Sequence, residues 1–389
     1  LNELISGVKR SFGELFGGDP EVAVRAPGRV NLIGEHTDYN DGFVMPVAID
    51  RFIAMAASKS EGEEVELHSL DYAASVRFPL SHIEYDHQHL WSNYFKGVAY
   101  LLRQEGYEIG GCRVVLKGDI PQGAGLSSSA ALEVASALTL KSLFALPLAD
   151  KQLIRLCQRA ENEFVGVRCG IMDQFVSCLA RLGSALFLDC RELSYGHIPF
   201  SDELRVMVCN TMVRRELASS QYNIRRGECE EGVRILAQKL PGIKALRDVS
   251  LDEFLQHRHL LPPLVSKRCR HVIKENQRVL EGTEMLKRGD MHGFGRLMHL
   301  SHYSLKEDYE VSCPELDCMV ELAESTEGVV GARMTGAGFG GCTVNIVHRD
   351  KAEEAQKSIS SRYNKEMGVE PEIYLTSPAE GALEGVFCR

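Results

Sequence analysis

The sequence predicts an α+β protein of two domains. Three observations carry that expectation: strand-like and helix-like segments are interspersed along all 389 residues, no internal repeat or low-complexity run interrupts them, and two glycine-bearing blocks, at residues 28–39 and 121–130, fall where elements change. A chain this long buries a large core and divides into two domains. Its 44% hydrophobic and 25% charged content is that of an ordinary globular protein. The formal net charge of -10 opposes the basic face that nucleic-acid binding requires. No apolar run approaches the roughly 18 residues of a membrane span, and the first residues lack the basic-then-apolar pattern of a secretory signal. The twelve cysteines include no Cys-x-x-Cys pair, and Cys157, Cys178 and Cys209 sit in apolar runs as small buried hydrophobes. The expectation is a cytoplasmic monomer with small-molecule rather than nucleic-acid or membrane partners.

Taken in order, apolar patterning predicts strands at 21–25, 43–57 and 64–68, then a helix over 91–104. GCRVVLKG at 111–118 reads as a strand, broken by Pro121 and Gly123 before a helix rich in Ala and Leu over 126–143. Leu153, Leu156, Cys157, Ala160 and Phe164 mark the next helix, with Asp150 as its expected N-cap. After Gly170 a short helix gathers Ile171, Met172, Phe175, Val176 and Leu179 on one side, which leaves Asp173 and Ser177 off that side. Strands follow at 185–189 and 204–210, then helices around 219–238, 263–288, 291–307 and 314–325, and a strand, helix, strand series over 342–376. The polar stretch 192–196 interrupts the strands, so the expected domains are 1–193 and 194–389.

The later block is Gly123, Ala124, Gly125, Leu126, Ser127, Ser128 and Ser129. A glycine-rich turn that feeds a helix leaves backbone N–H groups pointing at one spot, where the helix dipole favours negative charge. It is no Walker A loop, because no Gly-Lys-Ser or Gly-Lys-Thr follows, and it lacks the third glycine of the dinucleotide fingerprint. On the glycines alone a serine-capped turn and a phosphate cradle both remain open. Three serines before an Ala-rich helix favour phosphate. The earlier block places Arg29, Glu35, His36 and Asp38 beside Asn31, Thr37 and Asn40, which is compatible with a solvated loop, a metal site or a sugar site. His36 lacks the i, i+4 partner of a zinc pair, whereas carboxylates are strong acceptors for sugar hydroxyls.

Together the blocks resemble the family of small-molecule kinases that includes galactokinase, homoserine kinase, mevalonate kinase and phosphomevalonate kinase. Residues 26–41 (APGRVNLIGEHTDYND) are similar to the signature of its galactokinase branch, supported by 91–97 (WSNYFKG), 169–175 (CGIMDQF) and 334–342 (MTGAGFGGC). The resemblance runs from about Val22 to the C-terminus. It implies an N-terminal domain like domain 2 of ribosomal protein S5, a ferredoxin-like C-terminal domain, and an active site at their interface. It also implies transfer of the ATP γ-phosphoryl group to the C1 hydroxyl of D-galactose, with Mg2+.

The resemblance further implies the roles. Asp173 matches the catalytic base and Arg29 the arginine beside it, where a guanidinium favours the ionised carboxylate and stabilises charge on the reacting oxygen. Glu35, His36, Thr37, Asp38, Gly170 and Tyr222 match the sugar site, and residues 123–129 the phosphate loop. Ser129 and Glu161 match the magnesium ligands, a sparse set that suits an ion keeping several waters. Trp91 reads either as a border of the adenine pocket or as a core anchor. One departure stands out: Ala337 interrupts the glycine run of the third motif. A positive φ there would cost alanine about 1–2 kcal/mol, so an ordinary φ is expected. Two rivals remain: another sugar kinase, such as one for N-acetylgalactosamine, and a silent sensor that binds galactose and ATP.

Overall fold

The computed structural model describes residues 2–213 and 218–388. The chain opens with α1 (Asn2–Phe16), β1 (Val22–Ile33), β2 (Phe43–Lys59), β3 (Glu64–Ser69), β4 (Ala74–Pro79) and α2 (Ser92–Gln104). Then come β5 (Cys112–Gly118), α3 (Ser128–Leu143), α4 (Asp150–Arg159), α5 (Met172–Leu179), β6 (Ser184–Asp189) and β7 (Tyr195–Pro199). The later half holds β8 (Leu204–Asn210), α6 (Ala218–Leu236), α7 (Leu251–His257), α8 (Pro263–Arg288), α9 (Met291–Ser304) and α10 (Pro314–Glu324). It ends with β9 (Val329–Thr335), β10 (Cys342–His348), α11 (Ala352–Met367), β11 (Glu372–Thr376) and β12 (Val386–Cys388).

The expected α+β class takes the form of two sheets. The first runs β12-β1-β2-β5-β3-β4, with β6 paired to the start of β2 and β7 to β6. Successive strand residues face opposite sides, and the central strands sort accordingly. Val24, Met55 and Val114 join a core shared with Phe95 of α2, Val134 of α3 and Phe175 of α5. Ala23, Ala54, Ala56 and Val115 face the other way, where Ile5, Val8 and Phe12 of α1 cover them. The expected elements lack α1, although those three residues repeat at helical spacing. Helix α3 is buried on every side from Ala130 to Leu140, as its Ala and Leu content with no polar face requires.

The second sheet runs β11-β8-β10-β9, all antiparallel. Strand, helices, two strands, helix, strand is the ferredoxin-like sequence of elements. Met207, Cys209 and Val347 pack on α10 and α11 through Met319, Leu322, Ile359 and Tyr363. On the opposite face Val206, Val208, Val344 and Ile346 share the core of the first sheet, so apolar packing is continuous across the seam. The change of sheet falls between Pro199 and Leu204, and β12 returns to pair with β1.

Some local expectations need correction. Asp150 is the first residue of α4 rather than its N-cap. Ala149 precedes it in extended conformation and donates its N–H to Gln152 Oε1 at 3.1 Å, while Asp150 Oδ1 accepts from Lys141 Nζ at 3.1 Å. Helix α4 continues into a π-helical turn, Ala160–Val165. The strand expected at 21–25 runs on to Ile33, so Arg29 and Asn31 lie on β1 and only Glu35 to Asp38 lie on the turn after it. Trp91 is 8% exposed and stacks on Tyr72 with ring centroids 6.0 Å apart, a core position.

Candidate active site

A cleft of 1220 Å³ opens between the two sheets, more than the roughly 300–1,000 Å³ of a single ligand pocket. The sequence-predicted residues Arg29, Glu35, His36, Asp38, Gly170, Asp173 and Tyr222 line it. So do Gly123, Gly125, Leu126, Ser127, Ser128, Ser129 and Glu161. Two expected residues are not brought there. Thr37 is fully buried, its hydroxyl 2.9 Å from Gly34 O and 2.7 Å from Phe43 O, and Ala124 is 2% exposed within the core.

The two sequence blocks meet at Gly28. The β1–β2 register shifts between Pro27 and Arg29, a bulge that bends the strand. Strand β1 there lies against the loop at 123–129: Arg29 N donates to Leu126 O at 3.0 Å, and a Cβ on Gly28 would stand 2.6 Å from that same oxygen. Arg29 then reaches both blocks. Its Nη1 donates to Gly125 O at 2.9 Å, and its Nε and Nη2 donate to Asp173 Oδ1 and Oδ2, each at 2.7 Å. Burial opposes the guanidinium's charge, but Asp173 and Glu35 outweigh it and its pKa is raised.

Helix α5 aims Asp173 by a simple periodicity. Asp173 and Ser177 are i, i+4 on one face, and Ser177 Oγ donates to Pro27 O at 2.8 Å, two residues from Arg29 on the strand. Ser127 completes the group. It adopts φ 59 and makes no cap bond to α3; its hydroxyl donates instead to Asp173 Oδ2 at 2.5 Å. The first-turn N–H groups of α3 therefore face the cleft without a side-chain cap.

Behind the loop lies a buried polar cluster. Glu161, on the π turn, accepts at Oε2 from Gln174 Nε2 at 2.7 Å and from Cys169 Sγ at 3.2 Å. Its pKa is raised by burial, against the pull of hydrogen bonds that include Ser129. Gln174 also donates to Glu133 Oε2 at 3.0 Å. Glu133 is fully buried, and burial together with Glu161 pushes its pKa well above the usual carboxylate range.

On the signature turn, His36 takes φ 62. Its Nδ1 pairs with Tyr39 OH at 2.8 Å, and Tyr39 OH with Tyr309 OH at 2.7 Å. Burial first, then His271 and Arg225, push its pKa well below 6.5, so the ring is neutral. Tyr222 closes the group with its ring 5.6 Å from His36 and 4.8 Å from Tyr39. The Asp38 carboxyl packs where a Cβ on residue 170 would stand, so a larger residue there would have to displace it. Burial, with Asp173 and Glu35 adding repulsion, raises the Asp38 pKa to about 7. Glu35 Oε2 accepts from Arg333 Nη2 at 2.7 Å, and Arg333 Nη1 donates to Asn31 O at 2.9 Å. Ala337, at the cleft wall, is absent from the residues with positive φ, whereas Gly336, Gly338, Gly340 and Gly341 all have it. Alanine is therefore unstrained there.

The family described as galactokinase galactose-binding signature matches residues 10–59, GHMP kinases N terminal domain matches 93–181, and GHMP kinases C terminal matches 283–365. A protein named galactokinase from Roseiflexus sp. (strain RS-1) is 46% identical over 96% of this chain and 95% of its own. The chain belongs to the galactokinase family. Another galactokinase, from Staphylococcus carnosus (strain TM300), is 41% identical over 97% of this chain and 98% of its own. The crystal structure of Lactococcus lactis galactokinase complexed with galactose superposes with a TM-score of 0.93 at 37% identity, covering 97% of this chain and 98% of that one. Methanococcus jannaschii mevalonate kinase, at 19% identity and a TM-score of 0.66, shares the fold. Family membership makes the chain an ATP-dependent kinase.

Several residues that hold the lining of this galactokinase-family cleft from behind escaped the sequence reading. Glu133 left a usable signal, a lone acid inside an Ala- and Leu-rich helix, and Tyr39 and Gln174 stood inside the quoted motifs. Tyr309 and Arg333 left none, because each meets the signature turn only across the seam.

Proposed function

We propose that the protein is a galactokinase: it transfers the γ-phosphoryl group of ATP to the C1 hydroxyl of α-D-galactose, releasing galactose 1-phosphate and ADP. The bidentate Arg29–Asp173 pair carries this reading, because it stands where the phosphate loop and the signature strand touch. A carboxylate offers about four lone-pair directions. Two donors occupy Oδ2 of Asp173 and one occupies Oδ1, which leaves Oδ1 room for a substrate hydroxyl. Asp173 accepts the C1 hydroxyl proton as the new O–P bond forms, and the bond to the ADP oxygen breaks. A carboxylate is a weak base for a sugar hydroxyl, so the rate comes from positioning and charge stabilisation. Arg29 supplies positive charge beside the reacting oxygen. The first turn of α3 and the hydroxyls of Ser128 and Ser129 hold the phosphates.

Magnesium fits the donors present. The carboxylate of Glu161 and the hydroxyl of Ser129 adjoin one another at the cleft wall, and one carboxylate with one hydroxyl leaves room for waters and phosphate oxygens. Bound there, the ion would neutralise charge on the phosphate oxygens. On the sugar side, His36, Asp38, Glu35 and Tyr222 present their polar atoms to the hydroxyls. A misplaced hydroxyl leaves such groups unpaired at about 1–3 kcal/mol each, which discriminates epimers. The division into an N-terminal and a C-terminal domain, a monomeric state and a cytoplasmic location complete the proposal.

The test is ADP release with galactose, N-acetylgalactosamine, arabinose and mevalonate as acceptors. Galactose is expected to give the highest kcat/KM. A rate with galactose no higher than without sugar overturns the proposal.

A further inference from the structure

Glu275 is a buried carboxylate for which the reaction above has no use. It lies in the middle of α8 with no exposed surface, far along the chain from the signature turn. Yet its Oε1 accepts the backbone N–H of Gly34 at 2.9 Å and of Glu35 at 3.2 Å. Ser301 Oγ on α9 donates to the same oxygen at 2.6 Å, and Arg278 Nε donates to Oε2 at 2.6 Å. Hydrogen bonds to an ionised acceptor are the strong ones. Burial opposes that ionisation, but Arg278, His271 and Arg333 outweigh it and hold the pKa far below the usual range.

The bond from Gly34 depends on its backbone. Gly34 has φ +94, and a Cβ there would strike Phe43 O, Val279 and Val44. Its N–H and that of Glu35 thereby converge on one oxygen, and two residues later His36 sits in the left-handed region with its ring in the cleft. Helix α8 adds two bonds nearby: His271 Nε2 lies 3.1 Å from Glu35 O, and Asn276 Oδ1 accepts from Phe43 N at 2.8 Å.

We propose that Glu275 is a positioning residue for sugar recognition: its carboxylate sets the 34–36 turn so that His36 and Asp38 meet the sugar hydroxyls. This rests on the galactokinase reading of the cleft. Glu275 does not line the cleft, so it acts through the turn and spares the phosphate loop on α3.

Steady-state kinetics with galactose and ATP varied separately test it, beside galactose calorimetry without ATP. Glu275→Asp keeps the charge facing Arg278 but shortens the reach to the turn, and is expected to raise the galactose KM about tenfold while kcat and the ATP KM stay within about twofold. Calorimetry should show a matching loss of galactose affinity. Glu275→Gln keeps the reach and loses the charge, so a smaller rise in the same constant is expected. If that variant does not fold because Arg278 loses its counter-charge, Glu275→Asp decides. A folded Glu275→Asp protein with an unchanged galactose KM overturns the proposal, as does one in which kcat and both KM values worsen together, the pattern of a merely structural residue. Wild-type protein that does not turn over galactose fails the parent reading and this one with it; wild-type turnover with a null Glu275→Asp result fails this one alone.

Discussion

The proposed phosphate side and the proposed sugar side of the cleft are built in opposite ways. The phosphate loop is local: a strand, a glycine turn and the start of α3 follow one another within residues 112–129, and the cradle is made of consecutive N–H groups and hydroxyls. The sugar turn is held from outside. Its Glu35 side chain is bonded by Arg333 of β9, its backbone by Glu275 and His271 of α8, and its His36 is linked through Tyr39 to Tyr309. Anion binding needs convergent donors, which one turn of backbone supplies. Telling one sugar from another needs acceptors and donors fixed in three directions, which takes several elements.

Four results would break or sharpen that contrast. The largest effect is expected where the two sides meet: Asp173→Asn should lower kcat by about 10²–10⁴ while galactose calorimetry changes little, and full activity would remove Asp173 as the base. Next comes the external clamp. Arg333→Met takes the buried Glu35 carboxylate's main counter-charge away, leaving only Arg29 and a backbone bond from Gly336, and should cost up to about 3–5 kcal/mol of stability in denaturant titration, with the galactose KM rising more than the ATP KM. Equal changes in the two KM values would erase the proposed division.

The third result is a pH profile. The Asp38 pKa is raised to about 7, so the carboxyl is protonated below that pH and an ionised acceptor above it. The kcat/KM for galactose should fall as pH drops through about 7, roughly tenfold per unit once below it, while the kcat/KM for ATP at saturating sugar should follow this limb less. A flat galactose profile between pH 6 and pH 8 would contradict the assignment of Asp38 to the sugar. The smallest effect is expected at Ala337→Gly. Since Ala337 has no positive φ, glycine only loosens the unfolded chain, at about 0.4–1 kcal/mol, and a thermal melt should show a slightly lower Tm. A higher Tm would mean that the alanine is strained.

The same contrast explains what could be read along the chain. Strands β2, β3, β5 and β8 and helices α2, α3, α8 and α10 follow from apolar period and glycine breaks. Helix α1 and strand β9 escaped although α1 has a readable helical spacing; the others that escaped are short, as β7, α7 and β12 are, or have alternate faces that read as polar, as Arg77 makes of β4. Ser127 illustrates a subtler failure. A serine before a helix reads as a cap, but here the residue has a left-handed backbone and its hydroxyl bonds Asp173. Thr37 reads as a sugar ligand inside the signature, and instead its hydroxyl holds the turn's own carbonyls.

By itself the sequence determined the α+β class, and through the family resemblance it marked the loop at 123–129, the signature turn and Asp173, Arg29 and Glu161 as candidates, because each rests on neighbouring residues or on a motif short enough to be read in one stretch. Only the tertiary structure decided that Arg29 grips Asp173, that Thr37 and Ala124 turn away from the cleft, and that α8 and β9 hold the sugar turn. Those outcomes depend on buried polar groups finding partners across a seam, and partner choice between residues hundreds of positions apart is set by how two sheets pack, which no local pattern encodes.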